Sequence, residues 1–266
     1  LMLFAARSQG FKSGGFNNYN FTPDDVEVEP EKAINWEVGA KGRLFDGSLA
    51  YGVTLFHMDV DDIQVQILRG TLLVVKNAAS ARTRGVELDG EWLTPWEPLS
   101  IRGAAAVTDA RFVDFPDAPA SATSDADTQD LSGRRMPYTP KTQVNVTPTF
   151  RFPFASPELP PFFGLDRLVG RDLDLVLNAA FDVRYRSSSF LDGDLDPIVK
   201  QDGYVVLDAR LSLAALDDAL TLGVVVKNVT NTDVLDIAID SPLFPGGYNV
   251  TQEFQRTWMF ELAYRW

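Results

Sequence analysis

A period of two runs through almost the whole of this chain. Between Asp172 and Tyr185 the odd positions Leu173, Leu175, Leu177, Ala179, Phe181, Val183 and Tyr185 are apolar, set against Asp172, Asp174, Asn178, Asp182 and Arg184. From Lys32 to Leu44 the even positions Ile34, Trp36, Val38, Ala40, Gly42 and Leu44 oppose Asn35, Glu37, Lys41 and Arg43. The last stretch, Arg256 to Trp266, alternates Trp258, Phe260, Leu262, Tyr264 and Trp266 against Thr257, Met259, Glu261, Ala263 and Arg265. Successive side chains of a strand point to opposite faces, so each run builds a ribbon with one apolar and one polar side, which a 3.6-residue helix cannot do. Weaker runs at Ser48–Val60, Gly85–Leu93, Leu99–Ala110, Thr142–Phe152, Tyr204–Leu213 and Leu220–Lys227, with Met2–Ser8, bring the expectation to ten strands. Ile63–Val75 reads as a hairpin reaching beyond the sheet. Pro148 counts against its strand, because it cannot donate to a ladder.

Alternation fits a soluble sandwich, apolar face inward, as well as a membrane barrel, apolar face outward. The connections discriminate. Links near Phe45–Gly47, Thr94–Pro98 and Ala214–Ala219 are tight, whereas Gln9–Glu31, Asp61–Arg84, Arg111–Lys141, Arg186–Gly203 and Asn228–Gln255 are long. Long and short links take turns, which puts every long one at the same end of the sheet, as in outer-membrane barrels. Pro153–Gly170 is the exception, a long link on the short-turn side. The aromatics point the same way. Trp258 and Trp266 are separated by about 26 Å of extended strand, close to the height of an apolar band edged by aromatic girdles. Trp92 and Trp96 cluster at a tight turn, and Trp36 and Tyr185 lie toward the long-loop end.

Composition narrows the classes. The chain has 266 residues, 45% of them hydrophobic, and no cysteine, so thiolate metal sites and disulfide scaffolds are excluded. A net charge of -13 removes nucleic acid as a partner, since phosphate binding needs clustered Lys and Arg. No apolar window is long enough for a spanning helix, which says nothing against a barrel. The opening LMLFAARS has neither the basic flank nor the cleavage site of a signal peptide; it reads as a chain entered mid-strand, a fragment of something longer.

Sites for covalent chemistry do not assemble. The single histidine, His57, reads as an ordinary strand residue, and no Ser/His/Asp set or multi-His metal site forms around it. Gly14-Gly15 lacks the GKS/T ending of a phosphate loop. Asp192, Asp194 and Asp196 alternate as calcium ligands do. The twelfth position from Asp192 is Gly203 where an EF-hand needs glutamate, so the run reads as a solvated acidic loop and no metal is assigned. Glu87 and Glu91 share a strand face roughly 13 Å apart, too far for a glycosidase pair. Asn-x-Thr tripeptides at Asn20, Asn145, Asn228 and Asn249 are discounted, since such tripeptides arise by chance. No cofactor is implied. The charged residues make one coherent statement: Glu37, Lys41, Arg43, Glu87, Asp89, Glu91, Arg102, Asp174, Asp182, Arg184, Asp208, Arg210, Glu261 and Arg265 all lie opposite the apolar stripe, as in a lumen wall.

Several stretches carry a family resemblance. Gln9-Gly-Phe-Lys-Ser-Gly-Gly-Phe-Asn17 after an aromatic-bearing strand resembles a strand-to-loop segment of the barrel of TonB-dependent outer-membrane receptors. Glu37-Val-Gly-Ala-Lys41 is similar to that family's E-x-G-x-K strand, Asn77-Ala78 followed by Gly85-Val-Glu87-Leu88 to its NA…GxExE pair, and Val226-Lys-Asn228-Val229 to a segment near its penultimate strand. Tyr264-Arg-Trp266 resembles the aromatic ending read by the barrel-assembly machinery, with Glu261 standing where a glycine is usual. The resemblance implies an all-β fold: an antiparallel meander of about ten strands, residues 1–266 forming the C-terminal part of a 22-stranded transmembrane barrel with short periplasmic turns and long extracellular loops. The signal peptide, plug, N-terminal strands and TonB-contacting box would lie outside this chain. Both lateral edges would then be unpaired without the rest of the barrel. Function is implied with it: import across the cell outer membrane of a scarce nutrient such as a ferric siderophore, a vitamin-like cofactor or a glycan, without catalysis. The partners implied are outer-membrane lipid, small-molecule or oligosaccharide cargo, the TonB complex through the missing N-terminal part, and the assembly machinery.

Read without the family, the first loop offers rings and amides for gripping an uncharged cargo. Phe11, Phe16 and Tyr19 supply faces, Asn17 amide groups and Lys12 a charge, although packing over the rim explains any one of them as well. Outer-loop acids, including Asp114, Asp117, Asp125, Asp127 and Asp130, disfavour anionic cargo. Trp92, Trp96, Trp258 and Trp266 are assigned to the membrane interfaces, and Tyr264 with Trp266 to the assembly signal. The competing function is a non-transporting outer-membrane or secreted β-protein that binds ligands or surfaces through its long loops. The decisive expectation is that Leu175, Phe181, Phe260 and Leu262 face lipid rather than a second layer.

Overall fold

The structure, a computed structural model, describes residues 1–17, 26–69, 72–121, 124, 126–155, 174–215, 219–241, 244 and 246–265. Ten strands form one antiparallel meander in which spatial order equals chain order. They are β1 (Met2–Lys12), β2 (Glu31–Leu44), β3 (Leu49–Arg69), β4 (Leu72–Leu93), β5 (Leu99–Asp114), β6 (Thr142–Ala155), β7 (Asp174–Arg186), β8 (Tyr204–Ala215), β9 (Leu220–Lys227) and β10 (Thr257–Tyr264). Among the described residues there is no α-helix, only two single-turn 3-10 pieces, Phe45–Gly47 and Pro197–Val199. β1 and β10 are the two edges, each with a neighbour on one side only.

Cross-strand register carries the apolar stripe across the whole sheet, because directly paired residues share a face. Val53, Leu88 and Ala105 stand in line, as do Val146, Val183 and Leu207, and Leu211, Val224 and Phe260. Among the described residues no second layer covers this face: Leu55 and Leu211, on strands paired on both sides, are 53% and 48% exposed, and Phe260 is 84%. Phe181 and Leu262 are exposed as expected. Leu175, at the short-turn end of β7, is buried instead. An uncovered apolar face of this extent is incompatible with water and excludes the sandwich.

The opposite face is the polar one. Glu91 pairs directly with Arg102, and Asp182 with Asp208. The motif glycines belong to this face: Gly39 lies opposite Phe4 and Gly85 opposite Phe56, with the ring folded over the missing side chain. A Cβ at either glycine would overlap that ring and a backbone carbonyl of the next strand, Val53 O or Val107 O.

One sequence expectation changes and two are met in detail. Gln9–Lys12, read as the start of a loop, remain paired in β1 against Ile34–Glu31, because β2 starts early enough to supply them with partners. β3 and β4 continue past the sheet as one long hairpin, which realises the extension expected for Ile63–Val75. Pro148 sits inside β6, as the strand expected over Thr142–Phe152 requires. The ladder with β5 runs through its pairing to Ile101, whereas on the β7 side the register skips Thr147 and Pro148 and the Thr147 hydroxyl donates to the Asp182 carboxylate at 2.6 Å. Residues 156–173, the core of the expected exception to the turn rule, lie outside the described residues.

Candidate functional site

Two surfaces can act on a ligand: the polar face of the sheet and the loops above its long-connection end. The polar face is concave and laced with ion pairs. Arg102 meets Glu91 at 3.2 Å, Arg184 meets Asp208 at 3.4 Å, and Arg210 reaches across β9 to Glu261. Apart from the more enclosed Asp208 these partners are well solvated, so such pairs add little stability; what they supply is a hydrated wall of mixed charge.

Every residue of the expected polar wall whose side chain is described falls on this face, but other charges do not. Arg84 shares its side of β4 with Val86 and Leu88, and its cross-strand neighbours are His57 and Asp109. Asp59 pairs with Arg82, whose guanidinium donates at 2.8 Å, and Asp109 takes both Arg84 and Arg111. His57 Nε2 lies 3.0 Å from Asp59, which keeps it a strand residue in an ionic row. This outward band of charge begins where the apolar band ends, at Trp36, over which Arg7 stacks at 5.3 Å. An apolar belt followed by an aromatic and then by paired charges is the profile of a membrane boundary. The signal was legible: strand parity carried from Leu88 through Val86 to Arg84 and Arg82 places them outside.

At the short-turn end the outer face closes with an aromatic group. Trp96 meets Phe150 and Phe152 edge-on at 6.0 and 5.9 Å, and Trp92 is exposed nearby on the side of Ile101. Trp258, 58% exposed, stands at the opposite end, at the start of β10, and Tyr264 at its far end on the same face. Trp266 lies outside the described residues.

The expected first-loop site is dispersed. Phe11 and Phe16 are open to solvent, but Phe11 follows Arg7 and Gln9 on the outer side of β1, away from the concave wall. Lys12 approaches Glu31 at 3.8 Å. Asn17 spends its amide on the backbone of Val75 in β4, donating to its carbonyl at 2.8 Å and accepting from its N–H at 3.0 Å. That pattern pins the loop to the long hairpin. Tyr19 lies outside the described residues.

Buried side chains gather where the other loops meet the long-connection end of the sheet. Phe115, Ala118, Leu131 and Leu195 join Ala79, Ala81 and Phe112 in one apolar cluster, and Leu191, Val199 and Ala238 form a second. Between them sit the aspartates read as a solvated run. That reading is corrected: Asp192, Asp194 and Asp196 are 5%, 6% and 1% exposed, because three loops close over them. Asp196 accepts from the Tyr248 hydroxyl at 2.6 Å, from the Ser121 hydroxyl and from the Ile198 N–H at 2.8 Å. Its own N–H donates to one oxygen of Asp192 and one of Asp194, both at 3.1 Å. Gln129 donates to the Asp194 carbonyl at 2.6 Å. Burial, then the facing Asp194 carboxylate, push the Asp192 carboxyl up to about 8; burial likewise raises Asp194 and Asp240, and raises Tyr248 with help from Asp196. The contributors are spread from Ser121 to Tyr248, so no local spacing could have announced the cluster.

A family model described as TonB dependent receptor-like, beta-barrel matches residues 1–229. Among solved structures, the fold is similar to that of the ferric yersiniabactin uptake receptor FyuA from Yersinia pestis, with a TM-score of 0.70 at 19% identity, covering 96% of this chain and 33% of that one. The siderophore receptor PiuA from Acinetobacter baumannii gives 0.67 at 16%, covering 98% and 33%. BauA, the ferric preacinetobactin receptor of the same organism, gives 0.63 at 17%, covering 98% and 34%. The chain therefore spans about a third of the length of these proteins, and at such identities the likeness bears on the fold.

Proposed function

The chain belongs to the TonB-dependent receptor β-barrel family, an outer-membrane family, and from that membership we propose that it forms ten strands and the outer loops of an importer for ferric siderophores. One observation carries the reading: a single-layer sheet with a continuous uncovered apolar face on one side and an ion-paired polar concavity on the other. A wall of that kind separates lipid from a hydrated interior and has no purpose in water. Siderophore cargo, rather than a vitamin-like cofactor or a glycan, is supported by the three relatives above, each named for the uptake or reception of an iron chelate. In this reading residues 1–266 are the C-terminal part of the barrel. The open edges of β1 and β10 take the remaining strands, and the plug and the contact with TonB belong to the rest of the receptor. The wall and loops bind and enclose; they perform no covalent step. The test is a deletion of the receptor gene with growth compared on limiting iron and on limiting glycan, together with energised uptake of radio-iron chelates. Iron-limited growth and chelate uptake are expected to fall and to return on complementation. A defect confined to glycan growth would move the cargo, and no defect in either would remove the transport reading.

A further inference from the structure

The Asp192–Asp196 turn raises a problem of charge. Asp192 and Asp194 each have one carboxylate oxygen engaged by the Asp196 N–H and the other, Oδ2, buried without a hydrogen-bond partner. Asp240, from the hairpin Leu235–Asp240 / Tyr248–Gln252, turns in a third carboxylate whose Oδ1 is likewise buried and unpartnered. One oxygen from each of the three lies within 4.8 Å of the others. Among the described residues no Lys or Arg forms an ion pair with any of them. Ionised carboxylates gathered this closely and withdrawn from water repel one another, which is the electrostatic setting of a cation site.

We propose that Asp192, Asp194 and Asp240 bind a calcium ion that clamps the 187–203 loop to the 228–256 loop on the outer side of the sheet. Three oxygens no farther apart than this share a point within about 2.8 Å of each, and modest tightening brings that to the 2.3–2.6 Å of calcium–oxygen bonds. All three donors are hard oxygens with no imidazole or thiolate near, which selects calcium or magnesium over zinc or copper. Calcium is favoured of the two, because carboxylates brought in by separate loops form a loose cage rather than the tight octahedron magnesium needs. Asp196 is a positioning residue. Its carboxylate is consumed by Tyr248, Ser121 and the Ile198 N–H, and its own N–H aims the Asp192 and Asp194 carboxylates. Leu195, at φ 60°, makes the left-handed step that brings the two carboxylates round the Asp196 amide, and burial of its side chain in the neighbouring apolar cluster holds that step in place. The inference does not depend on which cargo the receptor carries.

The whole receptor containing this chain, purified in detergent and stripped with EGTA, is titrated with calcium chloride while hydrogen exchange is followed over 189–201 and 235–240, with bound calcium measured by dialysis. Calcium is expected to slow exchange in both segments, and magnesium at the same concentration to leave them unchanged. Asp194→Asn and Asp240→Asn, each removing one ligand charge, should weaken calcium binding by at least about tenfold, the loss that even outer-shell changes cause, while Asp202→Asn, an exposed aspartate nearby, keeps it. In calcium-free buffer the order should invert, Asp194→Asn exchanging more slowly than wild type because a neutral amide relieves the crowding of carboxyl groups in the empty site. The proposal is overturned if wild type shows no calcium response up to about 10 mM, above the range of weak extracellular sites. It is equally overturned if both Asn variants respond as wild type does, if magnesium protects as well as calcium, or if calcium-free wild type is the better protected. Heat-modifiable migration of each variant establishes that the barrel itself is folded.

Discussion

Leu88 and Glu87 are consecutive on β4 and point to opposite faces, which makes them a direct test of orientation. Leu88 lies outward in line with Val53 and Ala105; Glu87 lies inward opposite Thr54 and Ala106. Four residues separate Leu88 from Trp92 at one boundary and four from Arg84 at the other, about 13 Å along the strand each way. With a strand tilt of about 40°, that is about 10 Å of height to either interface. Leu88 is therefore at the middle of the apolar band, where an arginine costs about 2–4 kcal/mol. Leu88→Arg should lower the folding constant by about 30- to 1000-fold. Glu87→Arg exchanges one charge for another on a wall that already mixes both signs, and its effect should stay within about 1 kcal/mol. Both variants would be refolded into lipid vesicles and titrated with urea, with the midpoint read against wild type at constant m-value. Equal effects, or a larger effect for Glu87→Arg, would refute the assignment of the faces and with it the barrel.

Two further outcomes follow from local geometry. Gly85→Ala places a Cβ against the Phe56 ring and the Val107 carbonyl, and should cost about 1–3 kcal/mol in the same urea titration, with Gly10→Ala, which meets nothing, as the neutral control. Asn17→Ala removes both side-chain bonds to Val75 and should raise proteolysis or hydrogen exchange around Gly15–Phe16 by roughly 5- to 30-fold, about 1–2 kcal/mol of local stability, while leaving the urea midpoint of the sheet unmoved; unchanged exchange would show that the loop is held by other contacts.

What was legible and what was not divides by range. All ten strands could be read because alternation is a local property: Leu177, Ala179 and Phe181 declare their common face without knowing that Leu213, Leu211 and Ala209 stand beside them. The end of the lipid band was also present in the parity of Arg82 and Arg84, but the polar-face tally passed over it, since a charge on the apolar side of a strand contradicts simple alternation. Gln9–Lys12 looked like loop because of Gly10 and its neighbours. Their pairing was decided by β2, whose start at Glu31 is a fact about another segment. The acidic cluster lies beyond reading altogether. Asp192, Asp194 and Asp196 are visible as a run, yet whether such a run is solvated or buried depends on Ser121, Gln129 and Tyr248 from two other loops, none of which carries a periodic signal.

The distribution of burial then has a consequence for how such a molecule can vary. Away from strand residues such as Ala81 and Phe112 that join the loop cluster, the sheet's apolar face is stabilised by lipid and its register by ladder bonds, so its sequence is constrained by parity and by small residues such as Gly39 and Gly85. The loops hold the largest fully buried side chains outside the strands, Phe115, Leu131, Val234 and Asp196, and their cohesion comes from packing and from the aspartate cluster. Energies of distant sites with no shared partners add. A change at Asp196 or Tyr248 should therefore alter loop exchange without shifting the urea midpoint of the sheet, and a change at Leu88 should do the reverse. That independence, which fails only where the loops pack on sheet residues such as Ala81 and Phe112, lets one wall present many different loop surfaces.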